Sequence, residues 1–242
     1  CEIYPTFQRN MTFLQVSFAQ YLLLKGEDPR NALSRVRRYT ANLIKLAKPS
    51  YTTYLISSFA DYLEAEYLLE IGLDPTALTD AVIGMLPAWK ALDEQGEDPF
   101  VLEARINLIR AGWATRQKIS GLPAAESARQ AARKAVELNP SSHEAAAEHV
   151  RACQKLAALS APQAQDEFLA EGLTAADKGL KLKADAGVLW ALRAVVLSAQ
   201  ARLARNPAAQ ANLAKESTVS WTKALEINPL LARTYGKELR GE

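Results

Sequence analysis

Apolar side chains recur every three or four residues along this chain, in runs separated by short breaks. In residues 30–48, Leu33, Val36, Leu43, Ile44 and Ala47 share one side of a helical wheel, and Arg30, Arg37, Arg38, Lys45 and Lys48 share the other. The breaks are marked by proline: Pro5, Pro29, Pro49, Pro75, Pro99, Pro123, Pro140, Pro162, Pro207 and Pro229 stand about 17 to 26 residues apart, except for one double-length gap with KLKADAG near its middle. Between breaks the residues are largely Ala, Leu, Glu, Gln, Arg and Lys, which lose little rotamer freedom in a helix. No stretch alternates apolar and polar residues as a strand would. The spacing predicts a single all-α domain over 1–242 with helix pairs at 7–48, 50–95, 100–138, 142–183 and 186–227. A capping segment follows at 229–242. Each long helix measures about 30 Å at 1.5 Å per residue. Pro87 alone falls inside a helix and predicts a kink there.

The tetrapeptide GEDP occurs at Gly26–Pro29 and again at Gly96–Pro99, with GLDP at Gly72–Pro75 and GLP at Gly121–Pro123. This order suits a helix that closes on a left-handed glycine before the next opens on an Asp cap with Pro in its first turn. A calcium loop needs more carboxylates at alternating positions, and a phosphate loop needs more glycines and a Lys. The motif is therefore read as helix punctuation.

The second helices of the later pairs end alike: KAVELNP at Lys134–Pro140, KGLKLKA at Lys178–Ala184 and KALEINP at Lys223–Pro229, about 44 and 45 residues apart. In these ends the chain resembles the tetratricopeptide repeat family. The repeat here is longer than that family's 34 residues, and the first helices lack its Trp, Leu-Gly, Tyr signature. The resemblance implies a right-handed α-solenoid of about five antiparallel helix pairs that acts as a protein-interaction scaffold. INPLLARTY at Ile227–Tyr235, with the G-x-D-P breaks, also resembles the repeat regions that follow kinase domains in bacterial Ser/Thr protein kinases. That likeness implies a regulatory part of a larger bacterial signalling protein in the cytoplasm. No phosphate loop, His-Arg-Asp loop or Asp-Phe-Gly site is present, so no kinase chemistry is expected.

Charge narrows the partners. Lys and Arg total 29 against 27 Asp and Glu, and a net charge of +2 gives no global reason to expect nucleic acid. No run reaches the roughly 18 apolar residues of a membrane span. The two cysteines, Cys1 and Cys153, are far apart and form no disulfide framework; Cys153 reads as a small core residue. A lipidated Cys1 would make the chain a membrane-anchored assembly factor of the periplasm, which is the alternative reading of its location.

Candidate binding residues lie on the first helix of each pair, the concave side of a solenoid. They are Thr53, Ser57, Asp61 and Glu64; Glu103, Asn107 and Arg110; Glu144, Glu148, Arg151 and Lys155; and Arg193 with Gln200. Such mixed-charge lines suit a peptide or protein partner, and equally suit solvent with pairing along the helix. The basic stripe Arg30, Arg37, Arg38, Lys45 and Lys48 could meet phosphates or an acidic protein. It could also balance the neighbouring segment from Pro49 to Trp89, which has no Lys or Arg but carries Asp61, Glu64, Glu66, Glu70, Asp74 and Asp80. HEAAAEH at His143–His149 looks like a zinc motif, yet residues six apart point about 240° from one another on a helix and cannot share an ion. No acid, base and nucleophile converge, so neither an enzyme nor a cofactor is expected; an all-α enzyme or small-molecule sensor is the rival reading and requires a closed pocket lined by aromatics. The first helix, TFLQVSFAQYLLL, is apolar nearly all round, which predicts an upstream domain or partner stacked on it.

Overall fold

The computed structural model describes residues 3–46 and 49–241, with side chains described for 10–42 and 49–241. Helix starts in this chain are built by short polar side chains. Asp28 Oδ1 accepts from the Arg30 amide at 2.9 Å, Asp74 Oδ1 from Thr76 at 2.8 Å and Ser142 Oγ from Ala145 at 3.1 Å, while Asn206 Oδ1 takes Ala208 at 2.9 Å. Each satisfies an amide that the first turn leaves without a partner. Between such starts run α1 (Ile3–Lys25), α2 (Arg30–Leu46), α3 (Tyr51–Glu70), α4 (Thr76–Lys90), α5 (Asp98–Arg116) and α6 (Leu122–Leu138). They are followed by α7 (His143–Leu159), α8 (Pro162–Leu182), α9 (Gly187–Leu203), α10 (Pro207–Ile227) and α11 (Leu231–Arg240). No strand occurs among the described residues.

The breaks differ in their chemistry. Gly26 and Gly72 close α1 and α3 in the left-handed region, both at φ +79°, as the punctuation reading requires. The second GEDP does not behave this way: Gly96 is not left-handed, and Asp98 and Pro99 lie inside the first turn of α5. There Asp98 accepts a 2.8 Å hydrogen bond from the Tyr51 hydroxyl, tying α5 to α3. At GLP the left-handed residue is Lys118, and Gly121 is the N-cap of α6. Helix α4 runs through Pro87, which has no N–H for the preceding turn, and ends at Lys90, with the Ala91 amide on the Pro87 carbonyl at 3.1 Å.

Consecutive helices pack as antiparallel pairs, and the odd-numbered helices form a continuous inner row in which α1 touches α3, α3 touches α5, α5 touches α7, α7 touches α9 and α9 touches α11. The row also closes on itself. Helix α11 reaches α1, where the Arg233 guanidinium donates to the Leu23 carbonyl at 2.8 Å and pairs with Glu70 at the end of α3. The solenoid thus turns far enough for its last helix to meet its first.

Two apolar cores lie along the array. One spans α1 to α5 and includes Leu33, Ile56, Leu63, Val82, Trp89 and Ile106; the other spans α7 to α11 and includes Val150, Leu189, Leu192, Val196, Leu231 and Tyr235. Between them α6 buries only small side chains, Ala125, Ala128, Ala131, Ala132 and Ala135, so α5, α6 and α7 approach closely. Among the described residues no helix is long and apolar enough to cross a membrane.

Candidate functional site

The inner row lines a partly open chamber of about 330 Å³. Its walls include Gln20 of α1, Phe59 and Tyr62 of α3, Arg105 of α5, Glu148 and Arg151 of α7, and the start of α9. Its chemistry centres on Glu148, whose side chain is 1% exposed. Glu148 Oε1 accepts from Arg105 Nε at 2.8 Å and from Arg151 Nη1 at 2.5 Å, whereas Oε2 is buried without a hydrogen-bond partner. Arg151 completes its contacts with two bonds to the Tyr235 hydroxyl, at 2.6 Å from Nη2 and 3.2 Å from Nε. Arg105 is 14% exposed and lies over the rings of Phe59 and Tyr62, each 5.5 Å away. Its two terminal nitrogens make no hydrogen bond among the described residues, and Nη2 forms a loose ion pair with Glu144 Oε2 at 3.7 Å. At the mouth, Lys183 Nζ stands 3.5 Å from His143 Nε2, beside Asp185.

Burial and charge act against each other in this chamber. Desolvation pushes the Glu148 carboxyl up, and Arg151 and Arg105 more than reverse it, holding it below the usual carboxylate range. Glu66, one turn beyond Tyr62, has no direct arginine contact. Burial raises it, with the Tyr62 hydroxyl and the two more distant guanidinium groups offsetting part of that rise.

The candidate residues divide by what they meet. Glu144, Glu148 and Arg151 converge on the chamber. Asp61 and Glu64 bind Arg37 of the basic stripe, with Asp61 Oδ1 2.7 Å from Arg37 Nη2, so two of the candidate sets neutralise one another between α2 and α3. Arg30 turns to Asp28 at 2.6 Å, and Arg38 lies over its neighbour Tyr39. Lys48 and the side chain of Lys45 lie outside the described residues, as does Cys1. Thr53 is buried beside the cap residue Ser50, and Ser57 is half-buried. Asn107 is buried and donates to the Glu103 carbonyl at 3.0 Å; Glu103 pairs with Lys90 at 2.7 Å, and Arg110 pairs with Asp80. Lys155 is half-buried.

Arg193 borders a second, open groove of about 800 Å³ between α8 and α10, with Trp190, Lys215 and Val219. There it contacts Asp177 at 2.8 Å, Ser220 at 2.8 Å and Glu216 at 3.4 Å. Gln200, half-buried on α9, belongs to neither hollow.

His143 and His149 face apart as their spacing requires, one at the chamber mouth and the other toward α8. His149 Nε2 meets Glu171 Oε1 at 2.7 Å, and with Cys153 these atoms lie within 4.8 Å of one another. Their chemistry opposes a cation. Arg129 holds both Glu171 oxygens, at 2.5 and 3.1 Å, and burial pushes the Cys153 thiol up to about 12. Burial also lowers His149 despite its carboxylate neighbour, so the imidazole is neutral and donates from Nε2.

Arg105 and Tyr62, which line the chamber, and Tyr235, which holds Arg151 from behind, are missed by sequence reasoning. Arg105 sits in the apolar run FVLEARINLI, where one charge reads as an outward residue. Arg105 lies two residues from Glu103 and from Asn107, about 200° round the helix from each, so the polar line read on that helix points away from it.

No family model matches this chain, and no curated protein matches it. Among solved structures it is similar to two crystal structures of MamA. One is 14% identical over 92% of this chain and 94% of that one, with a TM-score of 0.46. The other is 15% identical over 84% and 93%, with a TM-score of 0.43.

Proposed function

We propose that this chain is a protein-interaction module that docks a protein or peptide partner on the apolar face of α1. The observation that supports this reading is the row of Phe13, Leu14, Phe18 and Tyr21, which are 40%, 62%, 51% and 47% exposed although all four are large and apolar. On a helix these residues span about 140° of one face. Leaving such a patch in water forgoes stabilisation of about 25 cal/mol per Å² of apolar area, and contiguous patches of this kind mark interfaces. Helix α11 covers only the C-terminal end of α1, through Arg233. An upstream domain of the same polypeptide or a separate protein would seat on the remainder.

The sequence resemblances support placing this module in a larger bacterial signalling protein of the cytoplasm, with a regulatory role. The anchored alternative depends on Cys1 and is read by mass spectrometry for acylation of that residue. Affinity purification from the native cells, comparing the unaltered chain with Leu14→Glu/Phe18→Glu, tests the docking face. The expected outcome is a partner retained by the former and lost by the latter while both give the same helical circular dichroism. Equal recovery of partners by both would sink the reading.

A further inference from the structure

The chamber holds two complementary deficits on one ion pair. Arg105 is a nearly buried guanidinium that uses one N–H on Glu148; its terminal nitrogens make no hydrogen bond among the described residues, and one of them forms a loose ion pair with the exposed Glu144 at 3.7 Å. That edge is a planar fork of the kind that grips a carboxylate through two parallel bonds. Glu148 Oε2, on the other member of the pair, is a buried acceptor with no donor among the described residues. A buried carboxylate oxygen left in this state is costly, and a full hydrogen-bond set would remove the cost. A ligand that answers both needs must carry an acceptor and an N–H donor on neighbouring atoms, because Arg105 Nε and Glu148 Oε1 are already joined at 2.8 Å.

We propose that the chamber is a binding site for a free α-amino acid, whose carboxylate replaces Glu144 at the Arg105 fork and whose ammonium draws out Glu148 Oε2, an oxygen with less than 1 Å² exposed. In an α-amino acid the two groups share one carbon, which is the spacing that a single ion pair sets. A simple anion leaves Glu148 unsatisfied and adds repulsion to it; a simple amine leaves the fork empty and adds a third cation beside Arg105 and Arg151. The remaining walls suit a side chain: Phe59 and Tyr62 on one side, and Val188 and Leu189 on the other. At the mouth Lys183 is offset by Asp185 and Glu144, and the first turn of α9, whose N-cap Ala186 offers no side-chain cap, adds free amides there. A chamber of about 330 Å³ has room for one such molecule with water. This site is separate from the apolar face of α1, so it stands or falls independently of the partner reading.

Calorimetric titration of the unaltered chain with each of the twenty proteinogenic L-amino acids tests the proposal. Every one that binds is followed by its des-amino acid and its decarboxylated amine. The expected result is saturable one-to-one binding of at least one amino acid, with both truncated analogues weaker by about tenfold or more. Arg105→Gln should weaken binding by at least about tenfold, and Arg105→Lys, which keeps the charge and loses the fork, should do the same. Arg105→Lys is read in place of Arg105→Gln if the latter loses its helical signal. Leu14→Glu/Phe18→Glu should bind the amino acid unchanged. The proposal is overturned if none of the twenty binds, if an analogue with one group binds as well as the parent amino acid, or if the folded Arg105 variant binds undiminished.

Discussion

Glu148 is where the balance of forces at single residues is sharpest. One carboxylate holds two guanidinium groups inside the protein, and burying any one of the three alone costs several kcal/mol. Glu148→Ala leaves Arg105, nearly buried, and Arg151, 28% exposed, close together and without their common partner. It should destabilise the protein by about 3–5 kcal/mol in urea unfolding. A loss below about 1 kcal/mol would mean that water already solvates both cations. His149 makes the second residue-scale test, and its sign follows from linkage. Its pKa in the folded protein lies below the ordinary 6.5, so as pH falls through 6.5 the unfolded chain takes up a proton before the folded one does. The stability due to the neutral imidazole is therefore complete above 6.5 and declines as pH falls below it. Urea midpoints measured from pH 7.5 to 5.5 should drop, and His149→Asn should flatten that drop. A parallel slope in the variant would assign the effect to other groups.

At the scale of helices, one residue type has opposite roles in two elements. A Cβ on Gly179 of α8 would come 2.7 Å from Leu189 Cδ1 and 3.0 Å from Ala146 Cβ, so this glycine permits α8 to press against α7 and α9. A Cβ on Gly84 of α4 would meet nothing within 4 Å. Gly84→Ala should stabilise by about 0.5–1 kcal/mol through lower backbone entropy in the unfolded chain. Gly179→Val should cost about 1–3 kcal/mol by overpacking. Thermal melts of the two variants should move in opposite directions, and a common direction would refute the packing account. The same contrast explains what the sequence reveals. Helix ends are legible because Gly26, Asp28, Asp74 and Ser142 act within three or four residues of where they stand. Whether a glycine is a contact point depends on neighbours 10 or 30 residues away, as for Gly179 with Leu189 and Ala146, and Gly96 shares GEDP with Gly26 without taking its left-handed turn. The chamber is partly legible for the same reason: Glu144, Glu148 and Arg151 share one face of α7, whereas their counterparts Arg105 and Tyr235 lie 43 and 84 residues off. The basic stripe beside an acidic helix is legible as a balance of charge, and Arg37 with Asp61 and Glu64 is where the two helices meet.

For the whole molecule, closure of the inner row is the property that neither composition nor periodicity contains. In an open array each unit leans on its neighbours alone, and the terminal units fray first. Here α1 is held from both sides, by α2 and α3 and, across the gap, by α11. Arg233 carries that last contact. It pairs with Glu70, donates to the Leu23 carbonyl, and sits where a side chain on Gly26 would collide with it, so the left-handed turn after α1 also makes room for the clasp. The pair is substantially exposed, and such bridges are worth about 0–1 kcal/mol, so Arg233→Ala should leave the global unfolding midpoint nearly unchanged. Its effect should be local. Amides of α1 should exchange with solvent up to about fivefold faster in the variant, the factor equivalent to about 1 kcal/mol, while those of α5 and α7 keep their protection. Hydrogen exchange read by mass spectrometry separates the cases: faster exchange confined to α1 means that the last helix secures the first, and unchanged α1 protection means that α2 and α3 suffice to hold it, with the chamber's closure resting on the α9 to α11 packing alone.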